Sequence, residues 1–285
     1  MEIRLTAQCL AILSKAVCGR AGITAIHAGL NQLTALPDWL ANLPNLAILN
    51  LNHNRLTELP ENFARLTALR ELNLSSNPLG SFPAELKALA NLKILRIAQA
   101  GLRELPMDFP GTQLTEFHAD RNEIESLPDG IANGPAGLRR LGLAQNRLRS
   151  LSACLDGWKN LRELDLSYNQ LDYLPEAIGE LDRLEVLHLQ GNCLRGWPES
   201  MGQLHKLRVL NIYENQLTEI PLPVARLPRL EFLDASRNLI SRIPQENASW
   251  HAMRWLVLSG NPLDDLPEGF LPECVTFVSR RNAQS

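Results

Sequence analysis

A repeat of about 23 residues constrains the fold of this 285-residue chain more than any other sequence feature. Its clearest copy is LRELDLSYNQLDYLP, residues 161–175, with leucine at the first, fourth, sixth, eleventh and fourteenth places. Asparagine stands at the ninth place of that copy and proline at the fifteenth. Eleven copies begin at Ile23, Leu46, Leu69, Leu92, Leu114, Leu138, Leu161, Leu184, Leu207, Leu230 and Met253. This periodicity predicts a solenoid, in which each repeat buries its apolar side by stacking on its neighbours.

The order of residues within one copy predicts a strand, a turn and a returning segment. Alternation over the first six places is typical of a short strand with leucine inward and the intervening side chains outward. The ninth-place asparagine can hydrogen bond the backbone of the turn, so stacked copies are expected to form a ladder of such bonds. Proline suits the start of the returning segment. Ala100 replaces the asparagine in the fourth copy, which predicts a buried backbone group without its partner. The expected cost in stability is about 1–3 kcal/mol unless water takes the place of the asparagine.

The pattern LxxLxLxxNxLxxLPxxLxxL resembles the leucine-rich repeat family over residues 23–274. Its proline-containing form is similar to the intracellular Ras-binding and Ras-suppressor group, and to the repeat domains of bacterial effectors. The resemblance implies an α/β solenoid, a horseshoe with a parallel concave β-sheet of about eleven strands and an irregular or short-helical convex side. The predicted domains are an N-terminal capping helix in residues 1–22, eleven repeats in residues 23–274, and a short C-terminal cap or tail in residues 275–285.

Composition limits the compartment and the partners. The net charge of -3 gives no reason to expect nucleic acid or an anionic membrane. The five cysteines are scattered without a CxxC motif, which favours reduced thiols and a cytoplasmic location. The short apolar stretch at residues 9–17 has an alternative interpretation, a cleaved signal peptide. In that case the chain would be a fragment of an extracellular receptor. The resemblance adds the cytoplasm of a host cell, after secretion of a bacterial effector.

No motif for catalysis is present, since the sequence lacks a phosphate-binding loop, HExxH, GxSxG and zinc-ligand cysteine spacing. Asp165 and His188 fall on adjacent strands, but no nucleophile stands beside them. We therefore expect a non-enzymatic protein with no cofactor, no metal and no small-molecule substrate.

Two charged groups of residues have more than one interpretation. Glu116, His118 and Asp120 alternate on one strand, but a step of about 6.6 Å is wide for a shared metal, so a charge cluster is favoured. Three arginines lie close enough to pair these carboxylates: Arg96, Arg121 and Arg140. The second place is basic in six copies, which indicates either solubility or an acidic partner, with Glu71 and Glu163 as offsetting charges. The six residues are Arg70, Lys93, Arg139, Arg162, Arg208 and Arg254.

A protein-binding site is predicted from the outward strand positions of the later repeats. The third place becomes apolar in four consecutive copies, and exposed Trp, Tyr and Phe are the usual composition of a binding hot spot. The apolar anchors would be Tyr168, Val186, Val209, Tyr213, Phe232 and Trp255, and the polar residues that set orientation would be Asp165, His188, Asn211, Glu214 and Asp234. The alternative is that a C-terminal segment around Phe277 folds over Trp255.

The sequence therefore predicts a monomeric interaction scaffold that binds a protein partner on its concave face and acts in intracellular signalling. The alternative is the substrate-recognition domain of a larger bacterial effector enzyme, a ubiquitin ligase or kinase, whose catalytic domain is absent from this chain.

Overall fold

A computed structural model describes residues 1–14, 22–107, 113–128, 134–151, 155–244, 250, 252–263 and 276–278. The chain divides into two compact units, Met1–Gly142 and Leu143–Ser285. Each unit is a stack of repeats whose strands lie parallel and pair in sequence order. The predicted solenoid fold is confirmed.

The strands of the first unit are three residues long and start at the same place of successive repeats. They are β1 (Glu2–Arg4), β2 (Ala25–His27), β3 (Ile48–Asn50), β4 (Glu71–Asn73), β5 (Ile94–Arg96), β6 (Glu116–His118) and β7 (Arg140–Gly142). Every pairing keeps one register, so that Ile48 lies beside Glu71 and Glu71 beside Ile94. Residues at the same place of successive repeats therefore form columns across the sheet.

The strands of the second unit follow the same rule. They are β8 (Glu163–Asp165), β9 (Val186–His188), β10 (Val209–Asn211), β11 (Phe232–Asp234), β12 (Trp255–Val257) and β13 (Thr276–Val278). The middle residue of each repeat's strand is buried, as Leu164, Leu187, Leu210 and Leu233 show. Its two neighbours point to the opposite side, which we call the strand face.

The N-terminal segment adds a strand where a helix was predicted. Residues 1–14 contain β1 and a turn, so the helical prediction is wrong for them, and residues 15–21 lie outside the described residues. Strand β1 pairs with β2, with Ile3 beside Ile26, and buries Ile3 and Leu5. The signal was present in the sequence, because Ile3, Leu5, Leu10 and Leu13 have the spacing of the fourth, sixth, eleventh and fourteenth places. This segment is an additional partial repeat.

The asparagine ladder is confirmed. Asn54 shows the pattern, since its Nδ2 donates to the carbonyls of Leu51 and Ala28, each at 2.9 Å. Its Oδ1 accepts the N–H of Leu33 at 2.9 Å. One side chain thus satisfies the turn of its own repeat and joins it to the preceding repeat.

The repeat that lacks the asparagine does not leave the expected backbone donor unpaired. The N–H of Leu79, which an asparagine at position 100 would bind, donates instead to the carbonyl of Asn77 at 2.9 Å. The neighbouring N–H of Gly80 donates to the carbonyl of Ala100 at 2.9 Å. Gly80 has φ +71°, a left-handed conformation that glycine adopts without steric cost. The prediction of an unpaired backbone group is therefore wrong for this N–H, because a local turn supplies its partner.

Seven returning segments in the described part of the chain form short helices, within the predicted irregular or short-helical side. Proline precedes six of them, with φ between -65° and -76°, and its extended backbone turns the chain into the first helical residue. The 3-10 helices are Asp38–Asn42, Glu61–Arg65, Ala84–Ala88, Asp156–Trp158, Glu176–Glu180 and Glu199–Gln203, and a short α-helix spans Leu222–Ala225.

The eighth place of all eleven copies has a left-handed backbone, which the sequence did not reveal. The φ angles lie between 50° and 72°, although nine of these residues are not glycine. At nine of these positions a backbone bond to the next repeat holds the turn, as where the N–H of Tyr168 donates to the carbonyl of Gln190 at 2.7 Å. These inter-repeat bonds offset the cost of about 1 kcal/mol that a side chain carries in this conformation.

Glu176 links two of the short helices, and its substitution gives a testable result. Its carboxylate accepts the N–H groups of Glu199 at 3.2 Å and Ser200 at 3.0 Å, at the start of the next helix. The bond from the Ser200 backbone lowers the pKa of Glu176. The stabilisation is therefore complete above the unfolded-state pKa of about 4.3 and is lost as the pH falls through the lower folded-state value.

We expect Glu176→Gln to lower the melting temperature at pH 7, because an amide offers one acceptor where the carboxylate offers two. The difference from the wild type should shrink as the pH is lowered below about 4. Thermal unfolding followed by circular dichroism across this pH range measures both effects. Glu180→Gln, at an exposed position of the same helix, is the matched control. Equal melting temperatures for wild type and Glu176→Gln at pH 7 would contradict this role.

Candidate functional site

The apolar residues predicted at the third place lie side by side on the strand face of the second unit. Val186 pairs with Val209, Val209 with Phe232, and Phe232 with Trp255. The ring of Trp255 is 51% exposed, and the other three are partly exposed. We call these four residues the apolar column. It gives the strand face a continuous apolar strip across β9 to β12.

Strand β13 does not cover this strip. It continues the sheet beside β12, in a register that sets Thr276 next to Trp255 and Phe277 next to Leu256. The alternative in which the segment around Phe277 folds over Trp255 is therefore wrong for the described strand 276–278. Residues 264–275 and 279–285 lie outside the described residues.

A polar column runs beside the apolar one at the fifth place. Asp165, His188, Asn211 and Asp234 occupy successive strands in register. Asp165 and His188 are neighbours, as predicted, yet no hydrogen bond or ion pair joins them within the part of the chain that the structure describes. The Nδ1 atom of His188 is buried without a partner there. The two residues thus have the positions of a catalytic Asp–His dyad, but the hydrogen bond that defines such a dyad is not formed.

The two aspartates of this column are held by serines, a feature that the sequence analysis missed. Oδ1 of Asp165 accepts the N–H of Ser167 at 2.9 Å and its hydroxyl at 2.6 Å. Oδ1 of Asp234 accepts the same two groups of Ser236. The signal was the sequence Asp-x-Ser, which occurs at the same place of both repeats. Such bonds from a residue two positions on are typical of Asx turns.

Tyr168 and Glu214 occupy the left-handed eighth place at the end of the strand face. Tyr168 is 46% exposed, and the underside of its ring lies against Gly191, where a Cβ atom would stand 2.4 Å from the ring. The glycine therefore provides the flat surface on which the tyrosine rests. Glu214 is exposed.

Tyr213 contacts Arg237, which was not among the predicted site residues. The guanidinium of Arg237 stands 5.5 Å from the centre of the Tyr213 ring, within the range of a cation–π contact. The contact joins the seventh place of one repeat to the eighth place of the next. It orients both side chains at the edge of the strand face.

The charge cluster of the first unit is present around Glu116. Its carboxylate pairs with Arg96 at 3.5 Å and with Arg140 at 3.4 Å. His118 lies 3.9 Å from both Glu116 and Asp120. Among the described residues, no group of three or more His, Cys, Asp or Glu side chains could hold a metal ion.

The basic second-place residues of the second unit are paired along their own column. Arg162 binds Glu185 at 3.1 Å, and Glu231 accepts from Arg208 at 2.9 Å and lies 3.9 Å from Arg254. The hydrogen bond from Arg208 lowers the pKa of Glu231. Glu185 and Glu231, which the sequence analysis did not name, offset these arginines from within the second-place column. A row of alternating charges favours the solubility interpretation, because its cations are already paired.

Parallel three-residue strands, a repeat of about 23 residues and an asparagine ladder together define a leucine-rich repeat solenoid. A family model described as "Leucine rich repeat" matches residues 25–79, 112–171 and 153–194. A second, "Leucine Rich repeats (2 copies)", matches residues 205–249. The chain belongs to the leucine-rich repeat family. A comparison with curated proteins found no match.

Several solved structures resemble this fold. A leucine-rich repeat protein of Leptospira interrogans is 24% identical, with 90% of this chain and 77% of that chain covered and a TM-score of 0.72. An internalin, inlF, of Listeria monocytogenes is 21% identical, with 93% and 75% covered and a TM-score of 0.77. The Toll–Spatzle complex of Drosophila gives 28% identity, 92% and 38% coverage, and a TM-score of 0.80.

Two further observations concern the compartment. No helix among the described residues has the length and apolar content needed to cross a bilayer. Cys9 and Cys193 are free thiols in the described part of the chain.

Proposed function

We propose that this chain is a non-enzymatic interaction module that binds a protein partner on the strand face of its second unit. The observation that carries the proposal is the apolar column, Val186, Val209, Phe232 and Trp255, on four adjacent strands. The corresponding places of the first unit include Glu71, Glu116 and Arg140, so the repeat does not need apolar side chains there. Partly exposed aromatic residues in one strip are what a binding hot spot requires.

The surroundings of the column support the same role. Tyr168 and Tyr213 lie at one end of the strands, each fixed by a contact, with Gly191 and with Arg237 respectively. Parallel strands joined by ladder bonds are ordered before any partner arrives. Association then loses little conformational entropy, which favours affinity. The four strands of the apolar column span about 14 Å, a suitable width for the apolar centre of an interface.

The similar structures support protein binding in general. The Drosophila match is a complex of Toll with Spatzle, and this chain covers 38% of the matched chain. We extend to this chain only the use of a leucine-rich repeat surface for a protein partner. The intracellular signalling role, the monomeric state, the cytoplasmic location and the similarity to the Ras-suppressor group stay predictions, as does the alternative of a recognition domain in a larger effector enzyme.

The substitution Phe232→Glu tests the proposed face. Loss of a central aromatic anchor and burial of a charge should weaken partner binding about 30-fold or more, equivalent to about 2 kcal/mol. The fold should remain, because Phe232 is partly exposed. The measurement is affinity capture with wild type and variant, followed by titration of the captured protein, with folding checked by circular dichroism.

Tyr173→Glu is the matched control, since Tyr173 is a 56% exposed aromatic away from the strand face. It should bind as the wild type does. Undiminished binding by Phe232→Glu would place the interface elsewhere, with the charge cluster around Glu116 as the next candidate. A large loss of stability in Phe232→Glu would show that the residue is part of the core.

A further inference from the structure

Two carboxylates on the proposed binding face are held in one orientation. Oδ1 of Asp165 and Oδ1 of Asp234 each accept two donors from a single serine, Ser167 and Ser236 respectively. Two bonds to one oxygen restrict the rotation of the side chain. Each carboxylate is therefore ordered before binding, which lowers the entropy lost when a cation docks.

The second oxygen of each carboxylate is uncommitted. Within the part of the chain that the structure describes, neither Oδ2 atom has a hydrogen bond or an ion pair. Asp165 lies on β8 and Asp234 on β11, with His188 and Asn211 between them. Three strand spacings separate the two groups by about 14 Å.

The charge of this face is one-sided. Across the fifth, seventh and eighth places of the five repeats from Leu161, the carboxylates are Asp165, Glu214 and Asp234. The same places contain a single guanidinium, Arg237, which lies over the Tyr213 ring. The first unit differs, because arginines pair with Glu116 there. An acidic border around an apolar column is complementary to a partner that is both basic and apolar.

We propose that the partner segment contains two basic side chains about 14 Å apart that bind Asp165 and Asp234, while its apolar side chains cover the apolar column. This inference rests on the proposed function. An extended segment advances about 3.4 Å per residue and presents alternate side chains on one side. Lysine or arginine residues separated by four positions meet both requirements.

The test is selection of a displayed library of random peptides on the full chain, followed by affinity measurement for the synthesised winners. We expect enrichment of basic pairs with a separation of four, and affinity that falls as salt is added. Asp165→Asn and Asp234→Asn should each weaken binding about fivefold. Both variants keep the Oδ1 acceptor, as Asn50, Asn73 and Asn211 do at the same place in this chain.

Asp182→Asn removes the same charge at an exposed site off the strand face and should leave affinity unchanged. Winners without basic pairs, or unchanged affinity in both aspartate variants, would overturn this inference. If the selected peptides bind the Phe232→Glu variant more weakly than the wild type in that case, the proposed function stands although this inference fails. Peptides that bind Phe232→Glu as well as the wild type would contradict the proposed face itself.

Discussion

Replacement of Asn169 by alanine is expected to lower the free energy of unfolding by about 3 kcal/mol. Asn169 is 7% exposed, and its Oδ1 accepts the N–H of Leu148 at 3.0 Å. Its Nδ2 donates to the carbonyls of Leu143 at 2.9 Å and Leu166 at 3.0 Å. All three bonds are buried, and they join two consecutive repeats.

The three bonds do not contribute equally. The carbonyl of Leu143 also accepts from Asn146, and that of Leu166 also accepts from Asn192, so each retains one partner in the variant. The N–H of Leu148 loses its acceptor and becomes a buried, unpaired donor. That group should account for most of the loss, because an unsatisfied buried donor costs about 1–3 kcal/mol.

Urea unfolding followed by circular dichroism measures the change for Asn169→Ala. Gln170→Ala, at the adjacent exposed position, is the control and should stay within about 0.5 kcal/mol of the wild type. The comparison with Ala100 is informative, since the native chain compensates there through the turn at Asn77 and Gly80. An unfolding curve for Asn169→Ala that overlays the wild type would contradict the ladder account.

Removal of the Trp158 side chain is expected to cost about 3–5 kcal/mol. Trp158 is 1% exposed and is among the largest fully buried side chains. It stands at the twenty-first place of its repeat, where five other repeats bury a leucine. Those residues are Leu66, Leu89, Leu181, Leu204 and Leu227. Alanine at this place would leave a cavity larger than a leucine side chain.

Trp255→Ala provides a matched comparison, because it deletes the same side chain from a 51% exposed position. Its stability should change by less than about 1 kcal/mol, while its affinity for the partner should fall. Trp158→Ala should show the reverse, with lower stability and unchanged affinity at temperatures where the protein remains folded. Equal losses of stability in the two variants would show that Trp255 is not a surface residue.

These two tryptophans illustrate how far the sequence reaches. Both could be assigned from their place in the repeat, since the twenty-first place is leucine in six of the other ten copies and the third place points outward. The same reasoning placed Val209 and Phe232 on adjacent strands, and the register agrees. It failed for residues 1–14, because an incomplete repeat without its asparagine was interpreted as a helix.

The candidate site was predictable as a set of columns but not as a set of contacts. The sequence indicated that Asp165 and His188 are neighbours, yet the bonds of Asp165 come from Ser167, through Oδ1 alone. It also did not identify Glu185, which binds Arg162 within the second-place column. Exposed side chains have several partners of similar energy within reach, so their choice depends on local geometry.

The sequence by itself determined the repeat, the strand register and the asparagine ladder. Each repeat contacts the next one along the chain, so the period alone specifies which backbone groups meet. Only the tertiary structure decided the left-handed eighth place and the contact of Arg237 with Tyr213. These features arise from bonds and packing between stacked repeats, and the varied residues at the eighth place leave no periodic mark in the sequence.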